Sequence, residues 1–387
     1  MKSQIITQKR NFKKLSEKLW ILITLILVSC SPDDSNYNIE NSKNSSAANK
    51  PTINNPVAPD KEIRAADMSY LPLIESEGTI YKHAGIAENA LTTLKNAGCN
   101  TIRIRLWHSP ADGHSGLAEA RALALRVKAA GLKVWLTVHY SDTWADPGNQ
   151  TKPAAWSALN FANLKIAVSD YTAMVMTQIN PDIIQIGNET NDGMLWPEGK
   201  LSTNENQYRQ LVTAASTAVR AQSTKTKIML HFAGITNSDW YFSKVGTLDF
   251  DYIGLSYYPI WHGTSLTNLQ IRMNTLGNLY NKKVIIAETA YPFTLGYNDF
   301  TNNIVGLSSQ IIPAYPATPA GQKSFLLALR NMVKTSSNGI GFCYWGGEWV
   351  AFRGPTATNG STFENQALWD FQNNSVTAMD AFTQNLN

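Results

Sequence analysis

The chain has 387 residues, 43% of them hydrophobic and 16% charged, an ordinary globular composition with enough apolar mass for a large core. Its net charge of +4 is an N-terminal effect: the first 29 residues carry six basic side chains and one acid, and the rest holds 27 basic against 28 acidic, a net of −1. No basic face is left for nucleic acid, so that partner class is excluded from the expectations.

Residues 1–29 read as a secretion signal: a basic region, then the apolar run "WILITLILV", too short for a comfortable membrane span. The following "LVSC" resembles the lipobox of bacterial lipoproteins, in which the cysteine, here Cys30, is lipidated. An ordinary signal peptide with an incidental cysteine is the alternative. The acidic "SPDDS" after Cys30 resembles the surface-export signal of Gram-negative lipoproteins. The expectation is an outer-membrane lipoprotein facing the cell surface, or else the periplasm, that touches the membrane only through its lipid. Residues 30–61 are rich in Ser, Asn, Pro and Asp and read as a disordered tether. Residues 62–387 then form one domain, expected to act as a monomer, because α/β barrels of this size are routinely undivided. Cys99 and Cys343 each lie at or in an apolar run and read as buried free thiols.

From Glu62 onward, short apolar runs alternate with stretches of helical period. The strand candidates, in order, are "IRAADM", "NTIRIRLW", "LKVWLTVHY", "DIIQIGNE", "KIMLHFAG", "DYIGLSYY", "KVIIAETA" and "GIGFCYW". Between them lie helical patterns such as "GLAEARALALRVKAAG", which Gly131 stops just before the next strand. Eight strands alternating with helices predict a (β/α)8 TIM barrel. A doubly wound sheet is the runner-up, but no Gly-rich phosphate loop follows the first strand.

Active sites of such barrels form at the C-terminal ends of the strands. Strand two ends in Arg103, Arg105, Trp107 and His108. Strand three ends in His139, Tyr140, Asp142 and Trp144. Asn188 and Glu189 follow strand four; Tyr257, Tyr258, Trp261 and His262 follow strand six. Glu288 and Tyr291 close strand seven, and Trp345, Glu348 and Trp349 close strand eight. Six such endings share one rim. Glu189 and Glu288 follow apolar strands whose ends can face one another across the mouth. Paired carboxylates among aromatic platforms are the chemistry of glycoside hydrolysis, one held protonated as acid and the other ionised. Arg103 is the candidate for keeping the second one charged, and Asn188 for bonding a sugar hydroxyl.

Other residues keep two readings. Arg103 and Arg105 alternate along a strand, so both face the interior, and Arg105 serves equally as a structural pair or a substrate contact. Trp135 reads as core, whereas Trp144, Trp156, Trp196, Trp261 and Trp349 lie in polar loops where sugar platforms sit. His139 is a satisfied core histidine or a substrate contact; no second histidine stands at metal-ligand spacing. Glu348 reads as an ion pair or subsite contact. No Gly-x-Ser-x-Gly elbow supports acyl hydrolysis.

The segments "ADMSYLPLIESEG", "IRIRLWHSPADG", "HYSDTWADPGNQTKPAAW", "IGNETNDGMLWP", "GLSYYP" and "AETAYPF" together resemble glycoside hydrolase family 53, the endo-β-1,4-galactanases. The likeness runs from about Ala65 to Trp349. It implies a retaining (β/α)8 hydrolase with Glu189 as acid/base and Glu288 as nucleophile. It places Arg103, Asn188, Tyr257 or Tyr258, and Trp345 around the cleaved sugar. It also implies the β-1,4-galactan side chain of pectin, or type I arabinogalactan, as substrate. Composition and spacing alone do not separate galactan from mannan or xylan. Some bacterial members carry a calcium loop after strand seven. Here Asp299 and Asn303 match it, but Tyr297 and Thr301 stand where an Asp and a His belong, so the expectation is that no cofactor is required. A non-catalytic surface glycan-binding lipoprotein on the same scaffold is the alternative. Such a binder is expected to have lost one carboxylate, and both are present.

Overall fold

The computed structural model describes residues 62–383; the signal segment, Cys30 and the whole tether lie outside them. Eight parallel strands close into a barrel: β1 (Ile63–Asp67), β2 (Thr101–Leu106), β3 (Lys133–Val138), β4 (Ile183–Ile186), β5 (Lys227–Ala233), β6 (Tyr252–Ser256), β7 (Lys283–Thr289) and β8 (Gly339–Tyr344). Each pairs with its sequence neighbours, and β1 joins β8 to β2, with Ala66 opposite both Tyr344 and Ile102. The eight predicted strands are these eight.

Helices cover the outside: α1 (Ala90–Ala97), α2 (Leu117–Ala129), α3 (Phe161–Ile179), α4 (Leu201–Gln222), α5 (Ser238–Val245), α6 (Leu266–Tyr280) and α7 (Pro319–Thr335). Their ends follow local chemistry. Asn89, Asn160, Ser265 and Thr318 cap α1, α3, α6 and α7, each accepting from backbone N–H groups of the first turn. Each such cap contributes about 1 kcal/mol. Asn180 and Asn281 end α3 and α6 in the left-handed region, and Gly131 follows α2 at φ +74°. After β8 the 3₁₀ segment Thr377–Phe382 takes the place of a last long helix.

Alternation divides each strand between two cores. On β2 the residues Ile102, Ile104 and Leu106 pack outward against helices, leaving Thr101, Arg103 and Arg105 inside. The interior changes character along its length. Toward the strand starts it is apolar: Ile63 and Ala65, Trp135, Ile183, Met229, Tyr252 and Ile285 pack together. One step further along each strand stand Asp67, Thr137, Gln185, His231 and Ser256, all buried. An apolar floor thus carries a polar roof, and the roof opens at the C-terminal rim. Trp135 belongs to the floor, as its position in an apolar run predicts, and so does Cys343. Cys99 packs in the outer core, and both thiols are free.

Candidate active site

The short strand β4 ends because the chain turns sharply over the rim. Gly187 has φ +76° and Glu189 φ +46°. A Cβ on Gly187 would lie 2.4 Å from Thr190 Cγ2, so only glycine fits there. A left-handed glutamate costs about 1–3 kcal/mol and persists only where neighbours over-determine it. They do here: Asn191 exchanges two hydrogen bonds with the backbone of Ala233, and Thr190 N donates to His231 O. Asn188, just before it, is locked by donating to Ala145 O and accepting from Arg103 Nη2, each at 2.9 Å.

Glu288 reaches the same cleft by another device. Ala287 points into the barrel floor, so strict alternation would send Glu288 outward. The pairing of β6 with β7 skips a residue, from Leu255↔Ile286 to Ser256↔Glu288. This bulge turns Glu288 inward as well. There its Oε1 lies 2.7 Å from Arg103 Nη2, and its Oε2 accepts from Tyr258 Oη at 3.0 Å. Arg103 also bonds Asp67 Oδ2 at 2.9 Å and donates to Thr137 Oγ1 at 2.9 Å.

Glu189, by contrast, accepts at Oε1 from the neutral hydroxyl of Ser256 at 2.6 Å. Ligating atoms of Glu189, Glu288 and His231 all lie within 4.8 Å of one another. Burial raises both carboxyls, and a like charge adds to each: Glu288 raises Glu189, and Asp67 raises Glu288. In Glu288 that rise is opposed by the Arg103 guanidinium and by Tyr258. Glu189 is pushed up to about 8, first by burial and then by the Glu288 charge. The proton of the pair therefore resides on Glu189.

These groups line an open cleft of about 490 Å³. Aromatic rings wall it. The Arg105 guanidinium sits 4.4 Å from the Tyr70 ring centre and 4.1 Å from that of Trp144. The same guanidinium lies 4.5 Å from the Trp107 ring centre, so three aromatic rings pack around Arg105. Ser115 Oγ accepts from the same guanidinium. Arg105 is thus the buried support of Trp144 rather than half of a salt bridge. Trp345 and Trp349 continue the wall, their centres 5.1 Å apart. Across the cleft Trp261 stands edge-on to Tyr258 and is 55% exposed.

Of the residues singled out from sequence, Arg103, Arg105, His139, Trp144, Asn188, Glu189, Tyr258, Trp261, Glu288, Trp345 and Trp349 line this cleft. His139 is held by the N–H of Ala145 and is kept neutral by burial. Others lie elsewhere. Asp142 accepts from the backbone of Ser109 and Ala154, tying two loops together. Trp196 donates its indole N–H to Asp192 O. Tyr257 points outward, fully buried, with its hydroxyl on Gly263 O. Alternation decides between the two tyrosines: positions 252, 254, 256 and 258 of β6 face in. Trp156 is buried against His108 and Tyr171. Glu348 makes no ion pair among the described residues; it is fully buried and accepts from Tyr70 N at 2.8 Å. Asp67, Gln185, His231 and Ser256 escaped the sequence reading. Their signal was a polar residue at the last inward position of an otherwise apolar strand.

Asp299 and Asn303 are buried near Glu364 in the loops beyond β7 and β8. Asp299 Oδ2, Asn303 Oδ1 and Glu364 Oε2 have no hydrogen-bond partner. The Thr301 hydroxyl is spent on Gly360 N, and Tyr297 is 52% exposed. These are three free side-chain oxygens, and with Tyr297 and Thr301 where an Asp and a His belong the family-type ligand set is incomplete.

Comparison with known proteins gives the family. The model of glycosyl hydrolase family 53 matches residues 63–382. An arabinogalactan endo-β-1,4-galactanase of Cellvibrio japonicus (strain Ueda107) is 37% identical over 323 residues, 79% of this chain and 85% of that protein. One of Aspergillus niger is 34% identical over 333 residues, 81% and 91% of the two chains. The solved family 53 catalytic domain of Ignisphaera aggregans superposes with a TM-score of 0.79 at 34% identity, covering 85% of this chain and 97% of that one. With a barrel, a rim carboxylate pair and relatives of this likeness, the chain is a glycoside hydrolase and belongs to glycosyl hydrolase family 53.

Proposed function

We propose that the protein is a retaining endo-hydrolase of β-1,4-galactosidic bonds, acting on galactan or on type I arabinogalactan of pectin. The observation that carries the mechanism is the carboxyl pair, with oxygens within 4.8 Å. Oxygens that close fit the short carboxyl separation of a retaining enzyme better than the wider one of an inverting enzyme. Glu288, ionised beside Arg103, attacks the anomeric carbon as the bond to the leaving oxygen breaks. Glu189 gives its proton to that oxygen. Water then enters, Glu189 takes one of its protons, and the resulting hydroxide displaces Glu288, restoring the β-configuration. Asn188 keeps a second amide hydrogen for a sugar hydroxyl, since Ala145 O uses only one. Trp144, Trp261, Trp345 and Trp349 offer stacking faces for neighbouring galactose rings.

The substrate assignment rests on the galactanases that this chain resembles. Purified protein should release reducing ends from β-1,4-galactan and not from mannan or xylan, and proton NMR should show the β-anomer first. An α-anomer appearing first would falsify the double displacement. A protein that binds galactan without releasing reducing ends would be the glycan-binding alternative. We further propose an outer-membrane lipid anchor at Cys30, from the "LVSC" after an apolar run. Cys30→Ala should move the protein out of the membrane fraction; retention after a high-salt wash would refute the anchor.

A further inference from the structure

Behind Glu189 a row of buried polar side chains crosses three strands. Gln185 Nε2 lies 2.9 Å from His231 Nδ1, His231 Nε2 lies 2.9 Å from Ser256 Oγ, and Ser256 Oγ lies 2.6 Å from Glu189 Oε1. All three side chains are fully buried. A sealed chain of this kind admits few consistent placements of hydrogen, and here one closes.

The amide of Gln185 is oriented at both ends. Its Nε2 donates to Gly187 O at 2.9 Å, while its Oε1 accepts from Thr137 Oγ1 and Arg103 Nη2. The Nε2 therefore brings hydrogen to His231 Nδ1, as does the backbone N–H of Glu189 at 3.3 Å. Two donors aimed at Nδ1 make it the acceptor. Burial and then the Arg103 charge hold the imidazole neutral, so its single hydrogen sits on Nε2 and points at Ser256 Oγ. The serine hydroxyl, receiving there, turns its own hydrogen to Glu189 Oε1. Asn188 Oδ1 also approaches Nδ1, at 3.2 Å, but it takes its hydrogen from Arg103 Nη2 at 2.9 Å, and both hydrogens of Gln185 Nε2 stay on Gly187 O and His231 Nδ1.

We infer that Gln185, His231 and Ser256 form a one-way donor chain that holds Glu189 Oε1 as an acceptor and so confines the acid's proton to Oε2. The inference rests on the reading of Glu189 as the acid/base. Two consequences follow for that reaction. The transferable proton has one location rather than two. And as Glu189 becomes an anion, its charge is met at Oε1 by a hydroxyl already in place, a contact that strengthens in the transition state. Ser256 and His231 act through Glu189 and are positioning residues. The charged and titratable groups facing Glu189 are Glu288 on β7, Arg103 on β2, His231 on β5, Asp146 beyond β3 and Tyr258 beyond β6. Glu288 and Asp146 raise the Glu189 carboxyl, whereas Arg103 and the Ser256 hydroxyl lower it.

The test is Ser256→Ala, read through kcat/KM against pH on galactan and on 2,4-dinitrophenyl β-galactobioside. The alkaline limb reports loss of the acid's proton. Removing a donor that favours the carboxylate should move that limb upward by about one pH unit. On galactan kcat/KM should fall about tenfold. The dinitrophenyl substrate, whose leaving group needs no proton, should change by less than about twofold. Ser256→Cys, with a weaker donor of similar size, should fall between the two, and it decides the matter if the alanine variant does not fold. A folded variant with the wild-type limb and the wild-type ratio between substrates would overturn the donor chain. Failure of the acid/base reading looks different: Glu189→Ala would then lose equally on both substrates, whatever Ser256 does.

Discussion

The two glutamates of the cleft are the same residue, share one cavity and have oxygens within 4.8 Å of each other. Their partners differ in kind. Glu288 is gripped by a guanidinium at 2.7 Å and a phenol at 3.0 Å. Glu189 receives one neutral hydroxyl on a left-handed turn. Burial pushes both carboxyls up, so burial does not separate them. Arg103 does, because an opposite charge in contact favours the ionised form. The proposed division of labour between nucleophile and acid thus follows from which strand end lies next to Arg103.

The largest break in this comparison is Glu288→Ala. With no nucleophile there is no glycosyl-enzyme, and turnover on every substrate should fall by about four orders of magnitude or more. Steady-state rates on galactan and on an aryl galactoside measure it, and wild-type activity on either would rule Glu288 out. Glu189→Ala should cost about 10²- to 10⁴-fold on galactan but much less in the first step on an aryl substrate. Azide, which needs no general base, should partly restore its second step and give a β-glycosyl azide.

Arg103→Met sharpens the comparison from the other side. It leaves Asp67 and Glu288 as buried carboxylates without their cation. Loss of one partner of a buried pair costs about 3–5 kcal/mol. Urea unfolding at neutral pH should show that loss. The acid limb of kcat/KM should move upward as Glu288 becomes harder to ionise. An unchanged limb would mean that Arg103 does not set the charge of Glu288.

The smallest effect should come from a chelator. Neither glutamate needs a metal for its proposed part, and both ring nitrogens of the adjacent His231 are already engaged. EDTA should leave kcat and the melting temperature nearly unchanged. A large fall in melting temperature, reversed by calcium alone, would show that the free oxygens of Asp299, Asn303 and Glu364 hold an ion.

Much of this was legible because it is local. Apolar runs of strand length, helical periods and the helix stop at Gly131 depend on neighbours within a few residues. So does the placement of Glu189 and Glu288 at strand ends, which the barrel rule converts into a rim. The departures were of another sort. Trp156 and Trp196 sit in loops that read as platforms, yet one is packed into the core and the other is tied to its own loop. A polar loop tells that a tryptophan is near the surface but not which way its ring turns.

The sequence by itself determined eight strands, their order and the two carboxylates, because each follows from patterns a few residues long. Tertiary structure alone decided the rest. Closing the barrel brought carboxylate oxygens of Glu189 and Glu288 within 4.8 Å of each other and set Arg103 against Glu288. The bulge opposite Ser256 turned Glu288 inward against the alternation of its strand. Register between β4, β5 and β6 aligned Gln185, His231 and Ser256 behind Glu189. Such contacts are made between side chains far apart along the chain, and their geometry depends on how eight strands stagger as they close.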